Sequence, residues 1–550
     1  MKNRFLGWTL GLTLAFSGAV SLWGQSAAFK AGQSLDLQAA ILRALQQEYV
    51  DELSLDSLVM KGVNAMLSSL DPYTIYLPEE EEENIEKMTT GNYGGVGAII
   101  RKVPDGGVMI VEPYDGSPAI KAGLQPGDIL LEVDGVSTLS MTVSDCSSRM
   151  RGQPGTDLEM LVRKTRSGDT VKVKLVREIV HVSGMIYAGV LRDSIAYVQL
   201  SEFTRGGAQE VRGALERMQQ DHDIKRVVLD LRGNGGGLLV EAVDLVSLFV
   251  PQGTHVLYTQ GRTPETRRDS YTEMEPWNTD IPLMVLINSS SASSSEIVAG
   301  ALQDLDRAVI AGNRSYGKGL VQSIRGLGYD ASLKLTVGKY YTPSGRCVQA
   351  IDYSARAKDG SLQKTPDSLR QSFKTRSGRL VYDGGGITPD LEVKPEYYTR
   401  PLMALVYSGI LEDYAIRYYA QHEQVPAPAA LRLTDAEYED FVTYAAEQTF
   451  DHRTEAAVEM DRLIEVAKEE GTYEAGAAAF DALKQALDQD KTTYLMSQKN
   501  IIKSLLEREI AVVYYFQAGG AERGLADDRQ LFEAIDRWDE VKLVPEVTLP

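Results

Sequence analysis

Six serines crowd into seven consecutive positions, Ser289 to Ser295, with Ala292 the one interruption. The run joins an apolar segment, IPLMVLI (Ile281 to Ile287), to a stretch of helical pattern, SEIVAGALQDL. A buried strand that turns into a helix exposes the turn above the sheet. The helix start adds N–H groups without helical partners and a partial positive charge. A serine there can present its hydroxyl to a carbonyl carbon, and the neighbouring N–H can stabilise the oxyanion. Serine is a weak nucleophile and needs a base. The five histidines (His181, His222, His255, His422, His452) are scattered, and none stands in a persuasive setting. Lysine is the alternative, because burial lowers its pKa and makes it a usable base. RSYGKGLVQS supplies Lys318 between Gly317 and Gly319. A second glycine-rich turn, LDLRGNGGGLL, ends a strand at Asp230 and can deliver another N–H to the same place.

These residues need a scaffold, and the surrounding pattern describes one. From Ile195 to Val393 strand-like segments (IAYVQL, RVVLDLRG, IPLMVLI, RAVIAG) alternate with helix-like ones (GGAQEVRGALERMQQ, GLLVEAVDLVSLFV, SEIVAGALQDL). Apolar strands alternating with helices imply an α/β core covered on both faces. From Tyr93 to Val180 the texture is short strands and glycine turns. Leu35 to Leu70 reads as two helices, and the glutamates Glu79 to Glu83 as a solvated helix start. Beyond Tyr397 the chain is helical, tyrosine-rich and acidic, with a capping box at Thr434 and Glu437.

The chain has 550 residues, 57 Lys plus Arg and 77 Asp plus Glu, for a net charge of −20. That balance argues against nucleic acid as the main partner. Lys2 and Arg4 precede the apolar FLGWTLGLTLAFSGAVSLWG and the small residues QSAA, the layout of a signal peptide ending near Ala28 or of an uncleaved anchor. Cys146 and Cys347 lack metal-ligand spacing; they can be a disulfide or two separate buried thiols. No HExxH or Cys/His cluster is present, so neither metal nor cofactor is expected.

The stretch Gly116 to Gly135, with SPAIKAG as a short helix and LQPGDILLEVDG as turn, strand and tight turn, resembles a PDZ domain. In that resemblance GGVGAII is the carboxylate-binding loop, formed by Gly94, Gly95, Val96 and Gly97 with N–H groups facing an anion. Residues of the following strand edge and of SPAIKAG would line an apolar pocket for a peptide's last side chain. The segment SASSSEIVAGALQDLDRAVIAGNRSYGKGLVQ is similar to the signature of the C-terminal processing (tail-specific) proteases, and SLDPYTIYL, LDLRGNGGG, YYTPSGR and GGGITPD extend the likeness over Leu35 to Val393.

The resemblance implies a Ser-Lys peptidase. Its nucleophile falls on Ser293, with Ser291 or Ser295 as alternatives; its base falls on Lys318, and the glutamine orienting that lysine on Gln322. The oxyanion hole falls on the N–H groups of Ser294 and Gly236, with Gly237 the alternative. The implied architecture is an export segment (1–28), an N-terminal helical segment (29–92), an inserted β-rich PDZ domain (93–180), an α/β protease core with crotonase-like sheet layers (181–397) and a helical C-terminal domain (398–550). It also implies protein or peptide substrates with free C-termini, a homodimer through the C-terminal helices, an adaptor or activator protein, and a periplasmic location. The chain departs from the pattern at Gly233 and Gly235, at Tyr73 and Thr74, and at Cys347. A PDZ adaptor on a catalytically silent core is the competing expectation. A Ser-His-Asp peptidase would need a catalytic part ahead of the PDZ and a suitable histidine.

Overall fold

The computed structural model describes residues 26–78, 91–103, 106–328, 331–356 and 362–543. The export segment up to residue 25 and the glutamate run lie outside them. The described residues form two compact bodies, those within 26–78 and 323–335 and those within 91–322 and 336–543.

In the smaller body the two expected helices are Ser26–Glu48 and Leu55–Ser68. Ser54 caps the second by accepting the Ser57 N–H. The Asp71 carboxylate then accepts the N–H groups of Tyr73 and Thr74, both at 2.8 Å. That turn launches the strand Ile75–Leu77, which pairs antiparallel with Ser332 to Lys334.

The larger body is built on a six-stranded sheet: β1 (Met185–Leu191), β2 (Ile195–Leu200), β3 (Arg226–Asp230), β4 (Leu283–Ile287), β5 (Val309–Gly312) and β6 (Leu391–Glu392), adjacent in that order. β1 runs antiparallel to β2, and the rest are parallel. The crossovers carry α1 (Gly207–Asp221), α2 (Leu239–Ser247) and α3 (Ser294–Asp304). Side chains alternate across the sheet, as strand geometry requires. Val198, Leu229, Val285 and Ile310 face the three helices, packing on Val211, Leu245, Val246, Val298 and Leu302. Tyr197, Val228, Met284, Leu286 and Ala311 face the other way. That second face is covered by Leu531, Ala534, Ile535 and Trp538, from the end of the chain. The expectation of a core covered on both faces is met, with a cover contributed from far along the sequence.

The segment expected to be a PDZ domain has its own core, including Ile110, Leu130, Leu158, Met160 and Val162. Strands Ala98–Lys102, Val108–Pro113, Ile129–Val133, Asp157–Arg163 and Thr170–Val176 pair in that order, with the short helices Pro118–Lys121 and Val143–Met150 beside them. The C-terminal helices pack around Tyr438, Phe441, Leu506 and Ile510, and Met109 from the PDZ sheet joins this cluster. The capping box at Thr434 forms as expected. The helix Lys499–Leu525 breaks at Tyr515 and Phe516, where Phe516 has a φ of 61°. Beyond the break, the Gln517 N–H donates to the buried Glu112 carboxylate of the PDZ sheet at 3.0 Å, and Gln517 Nε2 donates to its other oxygen at 2.6 Å. Both cysteines are free thiols. No helix among the described residues is long and apolar enough to cross a membrane.

Because Leu531 is fully buried against the core sheet, Leu531→Ala should destabilise the full chain by about 2–5 kcal/mol. The urea midpoint measures this; an unchanged midpoint would mean the C-terminal helix does not support the sheet.

Candidate active site

The serine run occupies the turn between β4 and α3. Ser293 is the last residue before α3 and has φ 57°, ψ −113°. A non-glycine residue held in such a conformation carries roughly 1–3 kcal/mol of strain and must be fixed by its surroundings. Its neighbours do the fixing. Ser291 Oγ donates to the Leu231 carbonyl (2.8 Å), Ser294 Oγ to the Gly237 carbonyl (2.9 Å) and Ser295 Oγ to the Asn234 carbonyl (2.9 Å). The Ala292 N–H also donates to the Asn234 carbonyl, at 3.0 Å. Three hydroxyls of the run therefore bind the turn after β4 to the glycine turn after β3. Ser291 and Ser295 are fully buried in this role, whereas Ser293 is half-buried.

Lys318 arrives on the loop after β5. Gly317, at φ +91°, lies so close to Ala350 that a Cβ would meet the Ala350 Cβ at 2.4 Å, and a Cβ on Gly319 would meet the Gln349 nitrogen at 2.8 Å. The two glycines thus serve the close backbone approach expected of them. Lys318 is half-buried. Gln322 follows on the strand Leu320–Gly328 and donates from Nε2 to Thr336 Oγ1 at 3.3 Å.

A residue without an assigned role brings the loops together. The Glu296 carboxylate, fully buried on α3, accepts the Ser293 N–H at 3.0 Å and the Lys318 N–H at 2.8 Å on the same oxygen, Oε2. Its Oε1 accepts the Gly317 N–H at 2.7 Å and the Ser315 hydroxyl at 2.5 Å. Burial pushes this carboxyl above its ordinary pKa; the bonds from Ser315, Lys318, Gly317 and Ser293 pull it back. The signal was visible: a glutamate three residues after Ser293, in reach of the helix start.

Gly236 sits beside the nucleophile candidate. A Cβ on it would stand 2.8 Å from Ser293 Cβ and 3.1 Å from the Ser294 nitrogen, so only glycine fits. Its N–H, expected to be open for an oxyanion, instead donates to Asn234 Oδ1 at 2.8 Å. The oxyanion role thus needs that bond to be exchanged. Gly237, at φ +143°, is pressed against Phe203.

The PDZ groove is a cavity of roughly 210 Å³ between the strand Ala98–Lys102 and the helix Val143–Met150, lined by Val96, Ala98, Ile100, Val143, Ser147 and Met150 among others. SPAIKAG forms a short helix, as expected, but does not line this groove; the helix Val143–Met150 takes that place. Gly94 and Gly95 are strand residues paired with Ile179 and Glu178, glycine for steric reasons: a Cβ would meet the Gly152 carbonyl at 2.3 Å and the Tyr93 ring at 2.8 Å. Val96 and Gly97 direct their carbonyls to Ala119 and Tyr114. Burial raises the Tyr93 phenol, the neighbouring Tyr114 adds to this, and Arg151 works against it.

Residues 194–355 match peptidase family S41, residues 109–164 a PDZ domain, and residues 402–537 the family described as probable PDZ-protease, C-terminal helical domain. A carboxy-terminal-processing protease of Bartonella bacilliformis is 34% identical over 314 residues, covering 56% of this chain and 71% of that protein. A carboxyl-terminal-processing protease of Synechocystis sp. is 34% identical over 371 residues, covering 62% of this chain and 85% of that protein. A fold with an S41 peptidase core, a PDZ domain and a helical C-terminal region defines the class, a serine peptidase. The chain belongs to the carboxy-terminal-processing protease family.

Glu296→Gln keeps the volume but places an amide nitrogen where an oxygen accepts N–H groups. It should lower kcat by about tenfold to a hundredfold without unfolding the chain. Folding favours the protonated form of Glu296, so its stabilising effect is greatest at low pH and is lost as pH rises from the unfolded through the raised folded value. Urea midpoints followed from acid to neutral pH should show that component in the wild type and not in the variant.

Proposed function

We propose that the protein is an exported endopeptidase that selects substrates by free apolar C-terminal tails and cleaves them through an acyl-enzyme, with Ser293 as nucleophile and Lys318 as base. The observation that carries this is the single Glu296 oxygen that accepts N–H groups from both residues. Lys318 takes the Ser293 proton as the hydroxyl attacks the scissile carbonyl, then returns it to the leaving amine; water repeats the sequence on the acyl-enzyme. The Ser294 N–H stabilises the oxyanion, joined by Gly236 once its N–H leaves Asn234. Gln322 orients Lys318. The crotonase-like description of the core is supported by its largely parallel sheet with three helices on one face.

In the same proposal the tail enters the PDZ groove as an added strand along Ala98–Lys102, and its carboxylate takes N–H groups of the Gly94 to Gly97 loop. Export, by cleaved signal or retained anchor, is supported by the basic-apolar-small order of the first residues, and the periplasm is what the family resemblance implies. Exposed Leu463, Val466 and Leu483 on the helix pair Glu455–Glu469 and Tyr473–Leu487 support a homodimer or an adaptor contact there.

Ser293→Ala and Lys318→Ala should each reduce cleavage of an unfolded protein with an apolar tail to background, because members of one catalytic unit fail together. Full activity in Lys318→Ala would reject the dyad. A wild type inert towards every tail, alone and with candidate activators, would favour the adaptor. Full-length Ser293→Ala, which binds without cutting, should prefer a free-acid peptide over its amide by about tenfold or more, since the N–H groups lose a charged acceptor. Equal affinity would reject the carboxylate loop.

A further inference from the structure

We propose that the C-terminal segment Asp528 to Gln530 is a positioning element of the peptidase site, holding the oxyanion turn and the lysine loop at a common distance. The inference rests on the roles given above to Gly236 and Lys318.

Arg232 lies in the glycine turn, shortly before Asn234 and Gly236. Its guanidinium is largely buried and engages two carboxylates. One is Asp230 at the end of β3, itself fully buried and bonded to the Tyr197 hydroxyl at 2.7 Å. The other is Asp528, with Nη2 to Oδ2 at 2.5 Å and Nη1 to Oδ1 at 3.2 Å. Such a fork fixes the plane of the guanidinium as well as its distance.

Gln530 extends the contact to the second loop. Its Oε1 accepts from Arg232 Nη1 at 3.0 Å, while its Nε2 donates to Asn313 Oδ1 at 2.9 Å and to the Val393 carbonyl at 2.8 Å. Asn313 directly follows β5 and begins the loop that carries Ser315, Gly317 and Lys318; its N–H is held by the Ile287 carbonyl at the end of β4. One amide therefore touches the turn bearing Gly236 and the start of the loop bearing Lys318. Asp528 also caps the helix Arg529–Asp536 by accepting the Leu531 N–H at 2.8 Å, and that helix is packed on the core sheet through Leu531, Ala534 and Ile535.

A structural docking helix and a positioning clamp differ in what fails when the contact is cut. The full-length protein should be compared as wild type, Gln530→Ala, Asp528→Ser, Asp528→Asn, Arg232→Met and the double variant Arg232→Met with Asp528→Ser. Serine retains the helix cap but is too short for Arg232; asparagine retains both the cap and one acceptor. The measurements are kcat and KM on a peptide with a free apolar tail, labelling of Ser293 by diisopropyl fluorophosphate, and the urea midpoint. Gln530→Ala and Asp528→Ser should lower kcat and labelling by about tenfold to a hundredfold, with KM changed less than about threefold, because the loss is one of alignment. Asp528→Asn should recover most of kcat, and the double variant should be no worse than Arg232→Met alone. Unchanged kcat with a lowered urea midpoint would reduce the segment to a structural cover and overturn the proposal, as would additive effects in the double variant. Lys318→Ala run in parallel separates the two levels: if it retains activity, the site reading fails; if it is inactive and the C-terminal variants are not impaired, only the clamp fails.

Discussion

The site depends on one buried carboxylate. Glu296 lies on a helix with no exposed face, and its carboxylate joins the serine turn to the loop that carries Lys318. Burying a charge is unfavourable unless donors surround it. Here the donors are the Ser293, Gly317 and Lys318 N–H groups and the Ser315 hydroxyl. The loops cannot separate without stranding the carboxylate. The same set of bonds holds Ser293 at a strained φ, so the partners one buried carboxyl requires fix the position of a hydroxyl.

The serine run becomes intelligible around that anchor. Small hydroxyl side chains at Ser291, Ser294 and Ser295 reach the carbonyls at Leu231, Gly237 and Asn234, which a helix start and a glycine turn would otherwise leave facing each other. A larger side chain would push the turns apart, and alanine would take one donor from each of these carbonyls. The run is a seam between two loops, with one member left in the strained position.

The C-terminal region works at both ends of the larger body. Its helix break at Tyr515 and Phe516 frees the Gln517 N–H for Glu112 of the PDZ sheet, and its last helix covers the back of the core sheet. Arg101 adds ion pairs to Glu412 and Asp413, and Arg166 stacks over Tyr419 at 4.1 Å. The PDZ segment is thereby held by polar contacts around an apolar patch of Met109, Val103, Val111 and Ile129 packed on the C-terminal cluster.

Much was legible in the chain itself. Periodicity located β4 and α3 because a buried strand and a fully buried helix write strong apolar patterns. Glycines at Gly317 and Gly319 announced a close approach, because that depends on local backbone geometry. What the chain did not disclose depends on contacts between distant segments. The Glu296 carboxylate, the Asn234 amide on the Gly236 N–H, and the groove helix Val143–Met150 are single residues or short segments whose partners arise only when loops meet. The cover of the core sheet by Leu531 and Trp538 left no periodic mark tying them to Met284 or Leu286, because a face buried by a remote helix has the same pattern whichever helix buries it. Composition and spacing thus determined the elements and singled out the candidate side chains; tertiary packing decided which atoms hold them still.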